Sequence, residues 1–516
     1  MYQSILSGAY RGMDSYLISV EVDVSDGLPC MEMIGYLASQ VKESGERVRV
    51  GIKNSGYKIP TKRITINLSP SDIRKEGNGI DLAVALGILC AAGQVGKPEV
   101  EVLVLGELGL DGTVKNINGV LPILLKAADK GVKYCILPKE NAPEAELVKG
   151  ITVYPVSSLR EAVMCLQKMD ASDMVPINSE MNIDEKDRVI LPNYDVDFSQ
   201  VAGQEQAKQA AEIAAAGMHN LLLFGPPGSG KSMIAERIRT ILPPMSYEEC
   251  MEVTKIKSVL GEMKGKKTLV TERPYEAAHP LITPQGLIGG GNIPAPGLVT
   301  RAHKGVLFLD ELPEFGRIKL DLLRQPLEER KVRVIRKQYA CEYKADFMLV
   351  AAMNPCPCGY YPDRSRCNCR TAEISAYLKR VSGPLLDRID ISVEVGNVAW
   401  EQLHRKEKAE SSEDIRARVE RAYQIQMGRQ NKLNSDLTND ETENVCVMED
   451  EAKQMLRYTF EGKKKSVRAY ERVRKVARTI ADLAQSDKIA PEHMAQAIVL
   501  NGGMETFADR KEEMGT

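Results

Sequence analysis

Apolar positions along the chain follow three regimes. In the first, Tyr16-Leu-Ile-Ser-Val-Glu-Val-Asp-Val24 and Arg63-Ile-Thr-Ile-Asn-Leu68 alternate with the period of a half-buried strand, while Gly79–Ala92 and Gly119–Lys130 read as helices. In the second, the apolar runs are short and unbroken: Leu221–Phe224, Gly305–Leu309 and Asp346–Met353. Runs of that kind suit parallel strands covered on both faces. Beyond Val398 the spacing is helical only, with amphipathic runs near 412–431, 449–459, 466–485 and 491–500. Between the first two regimes the pattern fades into an acidic, irregular stretch that reads as a linker. These breaks predict an α+β domain over 1–167, a linker over 168–196, an α/β domain over 197–394 and a helical domain over 395–516.

Each short apolar run of the middle block ends in residues with candidate chemistry. After Leu221–Phe224 comes Gly225-Pro226-Pro227-Gly228-Ser229-Gly230-Lys231-Ser232, followed by helix-formers from Met233 to Arg239. Strand, Gly-x4-Gly-Lys-Ser loop and helix together make a P-loop, in which glycines let backbone N–H groups converge on phosphates at a helix N-terminus. Lys231 would reach the β- and γ-phosphates of ATP, and the Ser232 hydroxyl would take one Mg²⁺ position. The run Gly305–Leu309 ends in Asp310-Glu311, where Asp310 would hold Mg²⁺ through its water shell and Glu311 would orient the attacking water. The run ending at Met353 delivers Asn354, which can sense the γ-phosphate; its bland role is a turn before Pro355.

Composition narrows the class. The 516 residues suffice for about three domains, and 27% charged residues mark an ordinary globular protein. A net charge of −2 means that nucleic acid could be met only by a local basic surface. No apolar run approaches membrane-spanning length, and the start Met1-Tyr-Gln-Ser-Ile-Leu lacks the features of a signal peptide. Eleven cysteines, mostly scattered in apolar segments, fit buried thiols in a reducing cytoplasm better than a disulfide framework.

Four of the cysteines are not scattered. Cys356-x-Cys358 and Cys367-x-Cys369 lie within fourteen residues just past Asn354, in a loop of Tyr, Pro, Asp, Ser and Arg that can bury little. Four thiolates suit tetrahedral Zn²⁺, and a bound ion would replace the missing core. Cys-x-Cys is tighter than the usual Cys-x2-Cys knuckle, so free or redox-active thiols remain the alternative, and an iron–sulfur cluster has no neighbouring redox chemistry to motivate it.

The order of motifs (P-loop, Asp-Glu strand, strand ending in Asn, helical block) resembles the AAA+ ATPases. More specifically, Pro296–Phe315, Arg324-Gln-Pro-Leu-Glu328, Asn354-Pro-Cys-Pro-Cys-Gly359 and Ser382-Gly-Pro-Leu-Leu-Asp-Arg-Ile-Asp390 resemble the ComM/YifB family of magnesium-chelatase-like AAA+ proteins. The resemblance covers nearly the whole chain. It implies a ring, most simply a hexamer, with Arg388 as the arginine finger completing a neighbour's site and Arg468 as the sensor-two arginine of a C-terminal helical lid. A guanidinium suits both tasks because it spreads charge over phosphoryl oxygens and stays protonated; surface ion pairing is the bland reading of each. It further implies that the hairpin after Arg324-Gln-Pro-Leu-Glu328 lines the pore, with Lys331, Arg333 and Lys337 as candidate DNA-phosphate contacts, although a solvated basic edge would look the same.

Within 74–148, Glu76–Gly87, Gly106–Gly119 and Tyr134–Asn141 resemble the proteolytic domain of Lon, which works through a Ser–Lys pair. Here Gly79 falls at the serine position and Leu121 at the lysine position, which implies a retained fold without peptidase activity. Two functions compete on this resemblance. One is an ATP-driven ring acting on single-stranded or branched DNA, migrating branches in recombination and natural transformation. The other is a chelatase-type remodeller of a partner protein during metal insertion. The Lon-like front and the cysteine loop favour the first.

Overall fold

A computed structural model describes residues 1–516 apart from 37, 73, 76, 168–193, 264–268, 292–293, 337–338, 399–408, 464–465 and 514–516. Most of the expected linker at 168–196, and Lys337 of the basic hairpin, lie outside the described residues. The chain divides into two compact units: Met1–Arg188 with Tyr247–Val270 and Ile335–Glu342, and Val189–Ser246 with Thr271–Val334 and Tyr343–Thr516.

The first unit is built on a seven-stranded mixed sheet. Its spatial order is Cys30–Ile34, Arg63–Ser69, Asp14–Ser25, Tyr2–Arg11, Val102–Val104, Tyr134–Pro138 and Thr152–Val156. The alternating segments form the long antiparallel strands, with Val20, Val22, Ile64, Ile66 and Leu68 turned into the core. Helix Asp81–Ala91 is buried along its entire length, which explains why its sequence lacks a polar face. Its first residue, Asp81, is kept in the interior by Ser44, by Arg47 Nε at 3.0 Å and by the N–H of Leu108 at 3.4 Å. Helix Tyr247–Leu260, from between two elements of the nucleotide block, packs in this unit against helix Val120–Asp129. Ser258 fastens it: its hydroxyl donates to Glu144 at 2.7 Å and accepts from the N–H of Leu121 at 3.3 Å.

The second unit holds a five-stranded, wholly parallel sheet in the order Tyr275–Ala278, Val306–Leu309, Met348–Met353, Leu221–Phe224 and Ile391–Glu394. The strand first in sequence, Leu221–Phe224, sits between the fourth and the fifth. Every residue of Leu221–Phe224, Val306–Leu309 and Met348–Met353 is buried, as unbroken apolar runs require. Helices Glu205–Gly217, Lys231–Ile241, Ser412–Gln430 and Val467–Leu483 share one apolar core with this sheet. Parallel strands put all their carboxyl ends on one edge, where α/β sheets bind ligands. That edge carries Gly225, Asp310 and Asn354; the opposite edge carries Asn220, Lys304, Asp346 and Asp390.

Candidate nucleotide-binding site

The sheet's carboxyl edge brings the residues after three separate strands together. Gly225 donates its N–H to Met353 O at 3.2 Å, and a Cβ at this position would lie 2.1 Å from Val395 O, so only glycine fits the turn. Gly228 and Gly230 take positive φ values of 76° and 93°, which lets the loop curl back on itself before the helix opens at Lys231. Gln204 braces the loop from outside, donating to Ser229 O at 3.1 Å and Gly396 O at 2.6 Å.

Lys231 is 7% exposed, and its ammonium donates to Gly225 O at 2.9 Å, Pro226 O at 2.7 Å and Asn354 Oδ1 at 3.2 Å. Burial lowers its pKa from the ordinary lysine value, and the charge of Asp310 opposes that shift. Ser232 Oγ donates to Asp310 Oδ2 at 2.9 Å, so these two oxygens are close enough to serve one Mg²⁺ directly or through water. The N–H of Glu311 donates to Asp310 Oδ1 at 2.9 Å. Glu311 itself is exposed and held at φ 52°, an uncommon backbone for a residue with a side chain and one that clusters at functional sites. Lys231 with Asn354, and Ser232 with Asp310, thus form two hydrogen-bonded pairs on adjacent residues of the loop, with Glu311 beside the second.

The two arginines lie elsewhere. Arg388 and Arg468 line a cavity of about 250 Å³ together with Asn220, Glu328, Arg330 and Arg472. Asn220 precedes the P-loop strand, and its Nδ2 donates to Arg388 O at 2.8 Å, which places the cavity at the amino edge of the sheet. Four residues of strand separate that edge from the P-loop, a span of about 13 Å. Arg388 pairs with Glu328 and donates to Pro384 O, while its Nε is buried without a partner. Arg468 is exposed at the start of helix Val467–Leu483. Sequence reading missed Gln204, an isolated polar residue whose spacing carries no signal, and gave Glu328 no partner although it ends the Arg324-Gln-Pro-Leu-Glu328 motif.

The four sulfur atoms of Cys356, Cys358, Cys367 and Cys369 all lie within 4.8 Å of one another, with Cys356 Sγ 3.3 Å from Cys358 Sγ and 3.7 Å from Cys367 Sγ. A tetrahedron of Zn–S bonds has edges of about 3.8 Å, so the donor set fits that ion. Lys331–Arg336 and Tyr339–Lys344 form the expected two-stranded hairpin; Val332 and Val334 are buried, Arg333 is exposed and Lys331 half-buried. In the first unit, Gly79 lines a cavity of about 230 Å³ with Asn78, Glu107, Asn116, Ile117 and Asn118, and Leu121 is fully buried. Among the described residues, neither a serine nor a lysine lines it.

A parallel sheet carrying a P-loop, an Asp-Glu strand end and an Asn strand end defines an AAA+ ATPase core of the magnesium-chelatase type. The family model described as magnesium chelatase, subunit ChlI, matches residues 197–403; those for subunit ChlI of Mg-chelatase and for the ChlI C-terminal region match 20–141 and 409–501. The chain is 38% identical over 498 residues to competence protein ComM of Haemophilus influenzae, covering 96% of each, and 40% identical over 492 residues to the uncharacterized protein YifB of Escherichia coli, covering 95% of each. It belongs to the ComM/YifB family of magnesium-chelatase-like proteins. Lon protease 2 of Bacillus subtilis is 30% identical over 196 residues, 33% of this chain and 35% of that protein. Among the described residues, no helix is long and apolar enough to cross a membrane.

Proposed function

We propose that this protein is a ring-forming cytoplasmic ATPase that remodels DNA, driving branch migration at recombination intermediates. The observation that carries the ring is the placement of Arg388: a finger on the amino edge of the sheet cannot serve the phosphates at the carboxyl edge of its own subunit, but can serve a neighbour's. Arg468 shares its cavity and acts from the same side. Around the nucleotide, Lys231 neutralises the β- and γ-phosphates, Ser232 and Asp310 hold Mg²⁺, Glu311 orients the attacking water and Asn354 reports on the γ-phosphate. When bound, Mg²⁺ supplies charge neutralisation between the phosphates. Cys356, Cys358, Cys367 and Cys369 hold a structural zinc ion.

The DNA reading is supported by the naming of a relative as a competence protein and by the basic hairpin at Lys331, Arg333 and Lys337. The Lon-like front lacks a nucleophile and base at Gly79 and Leu121, so it serves assembly or DNA handling without peptide hydrolysis. Measuring ATPase rates with and without single-stranded or four-way-junction DNA tests the proposal, and stimulation is the expected result. The match to magnesium chelatase subunits keeps one rival, a remodeller of a metal-inserting partner protein. Absence of both DNA binding and DNA stimulation would put that rival ahead.

A further inference from the structure

The four-thiol loop is tied to the nucleotide site at three places. Its amino end follows Asn354, whose side chain accepts from Lys231 at 3.2 Å. Beyond its carboxyl end, after helix Thr371–Leu378, Arg380 Nη1 donates to Glu314 Oε1 at 2.8 Å, four residues past Asp310. Just after its first thiol pair, Gly359 lies directly against the phosphate-binding loop: a methyl group built on Gly359 would sit 2.5 Å from Cδ and 3.1 Å from Cγ of Pro227. Gly359 is buried, takes a φ of 85°, and donates its N–H to the backbone Cys356 O at 3.0 Å, so its position is tied to the main chain of the residue that carries the first thiol. The N–H of Tyr361 donates to Cys356 Sγ at 3.4 Å and fixes the other side of the turn.

We propose that the four-cysteine knot is a positioning device for the P-loop, with Gly359 as the pad on which Pro227 rests, so that metal occupancy of the knot and ATP affinity are linked. This rests on the ATP and zinc readings above. The loop between the thiols is too polar to hold its shape by burial, and four bonds to one ion close it instead. Once the closure is released, Gly359 is no longer held, Pro227 loses its backing, and the backbone N–H groups of the loop must be ordered at the expense of binding. Because linkage is reciprocal, nucleotide must raise zinc affinity by the same factor that zinc raises nucleotide affinity.

The test uses the full-length protein and a fluorescent, non-hydrolysable ATP analogue. Metal removed with a thiol-reactive mercurial and a chelator, the mercurial then being stripped with excess dithiol, should weaken analogue binding about tenfold, with recovery on adding zinc back. Saturating analogue should tighten zinc in a chelator competition by that same factor. Gly359→Ala should keep all four cysteines and its zinc, by elemental analysis, yet bind the analogue about tenfold more weakly, the scale of one misfitting methyl group. Pro227→Ala in the Gly359→Ala background should recover part of that affinity, because the clashing ring atoms are gone. Equal analogue affinity with and without zinc, or strictly additive effects of the two substitutions, would overturn the proposal. Wild-type protein that carries no zinc but shows the Gly359–Pro227 coupling would remove the metal and leave the pad standing.

Discussion

Lys231 makes three hydrogen bonds to oxygens that a triphosphate would otherwise displace or complement. Its charge is therefore already directed into the loop, and no other lysine of the described residues shares that position. Lys231→Ala should lower ATP affinity by about a hundredfold or more, as expected when charge-assisted hydrogen bonds to phosphate are removed. Glu311 differs in kind. It is exposed, and its bond to Asp310 is made by its backbone N–H and not by its carboxylate, so Glu311→Gln should leave ATP binding intact and slow hydrolysis by at least about a hundredfold, the scale of a missing general base. Titration calorimetry with ATP separates the two. Equal affinities for wild type and Lys231→Ala would sink the assignment of this loop.

At the scale of elements, the parallel sheet decides which groups meet. Its carboxyl edge gathers Lys231, Ser232, Asp310 and Asn354, and its amino edge gathers Arg388, Arg468 and Arg472. If Arg388 is the proposed arginine finger, Arg388→Ala should spare nucleotide binding and cut turnover by about a thousandfold, the scale of that role. Mixed with Glu311→Gln subunits it should regain activity, because some interfaces then pair an intact Glu311 with an intact Arg388. A mixture that stays inactive while rings form would show that Arg388 does not act across an interface. Much of this edge is legible in the sequence, since short buried strands of four to six residues followed by Gly, Asp-Glu or Asn state both their period and their polarity. The helix Tyr247–Leu260 is not. Its partners Leu121 and Glu144 lie more than a hundred residues away, and one serine hydroxyl fastening a helix leaves no periodic trace. Glu328 is equally silent, because a glutamate on a short helix looks solvated until the Arg388 it pairs with is placed beside it.

For the whole molecule, the balance of charge is the constraint. A net charge of −2 cannot draw a polyanion to the chain at large, so the proposed DNA binding requires a few residues repeated around the proposed ring. The hairpin is the proposed source of them: Val332 and Val334 anchor one face in the protein, and Arg333 stands exposed on the other with Lys331 half-buried beside it. Replacing Lys331, Arg333 and Lys337 together with alanine should weaken DNA binding and flatten its dependence on salt. Each phosphate left unneutralised keeps its counterions, which lowers the salt slope by about 0.7 for a single strand. Basal ATPase should persist, because the loop residues 225–232 and their partners are untouched. DNA stimulation of the ATPase and migration of a four-way junction should disappear together, as both require the same grip on the backbone. Fluorescence anisotropy across a salt series, read beside a junction-migration assay, measures both consequences on one preparation. Migration at the wild-type rate in the triple variant would move the DNA path off the hairpin, and the cavity around Gly79 in the first unit would be the next surface to substitute.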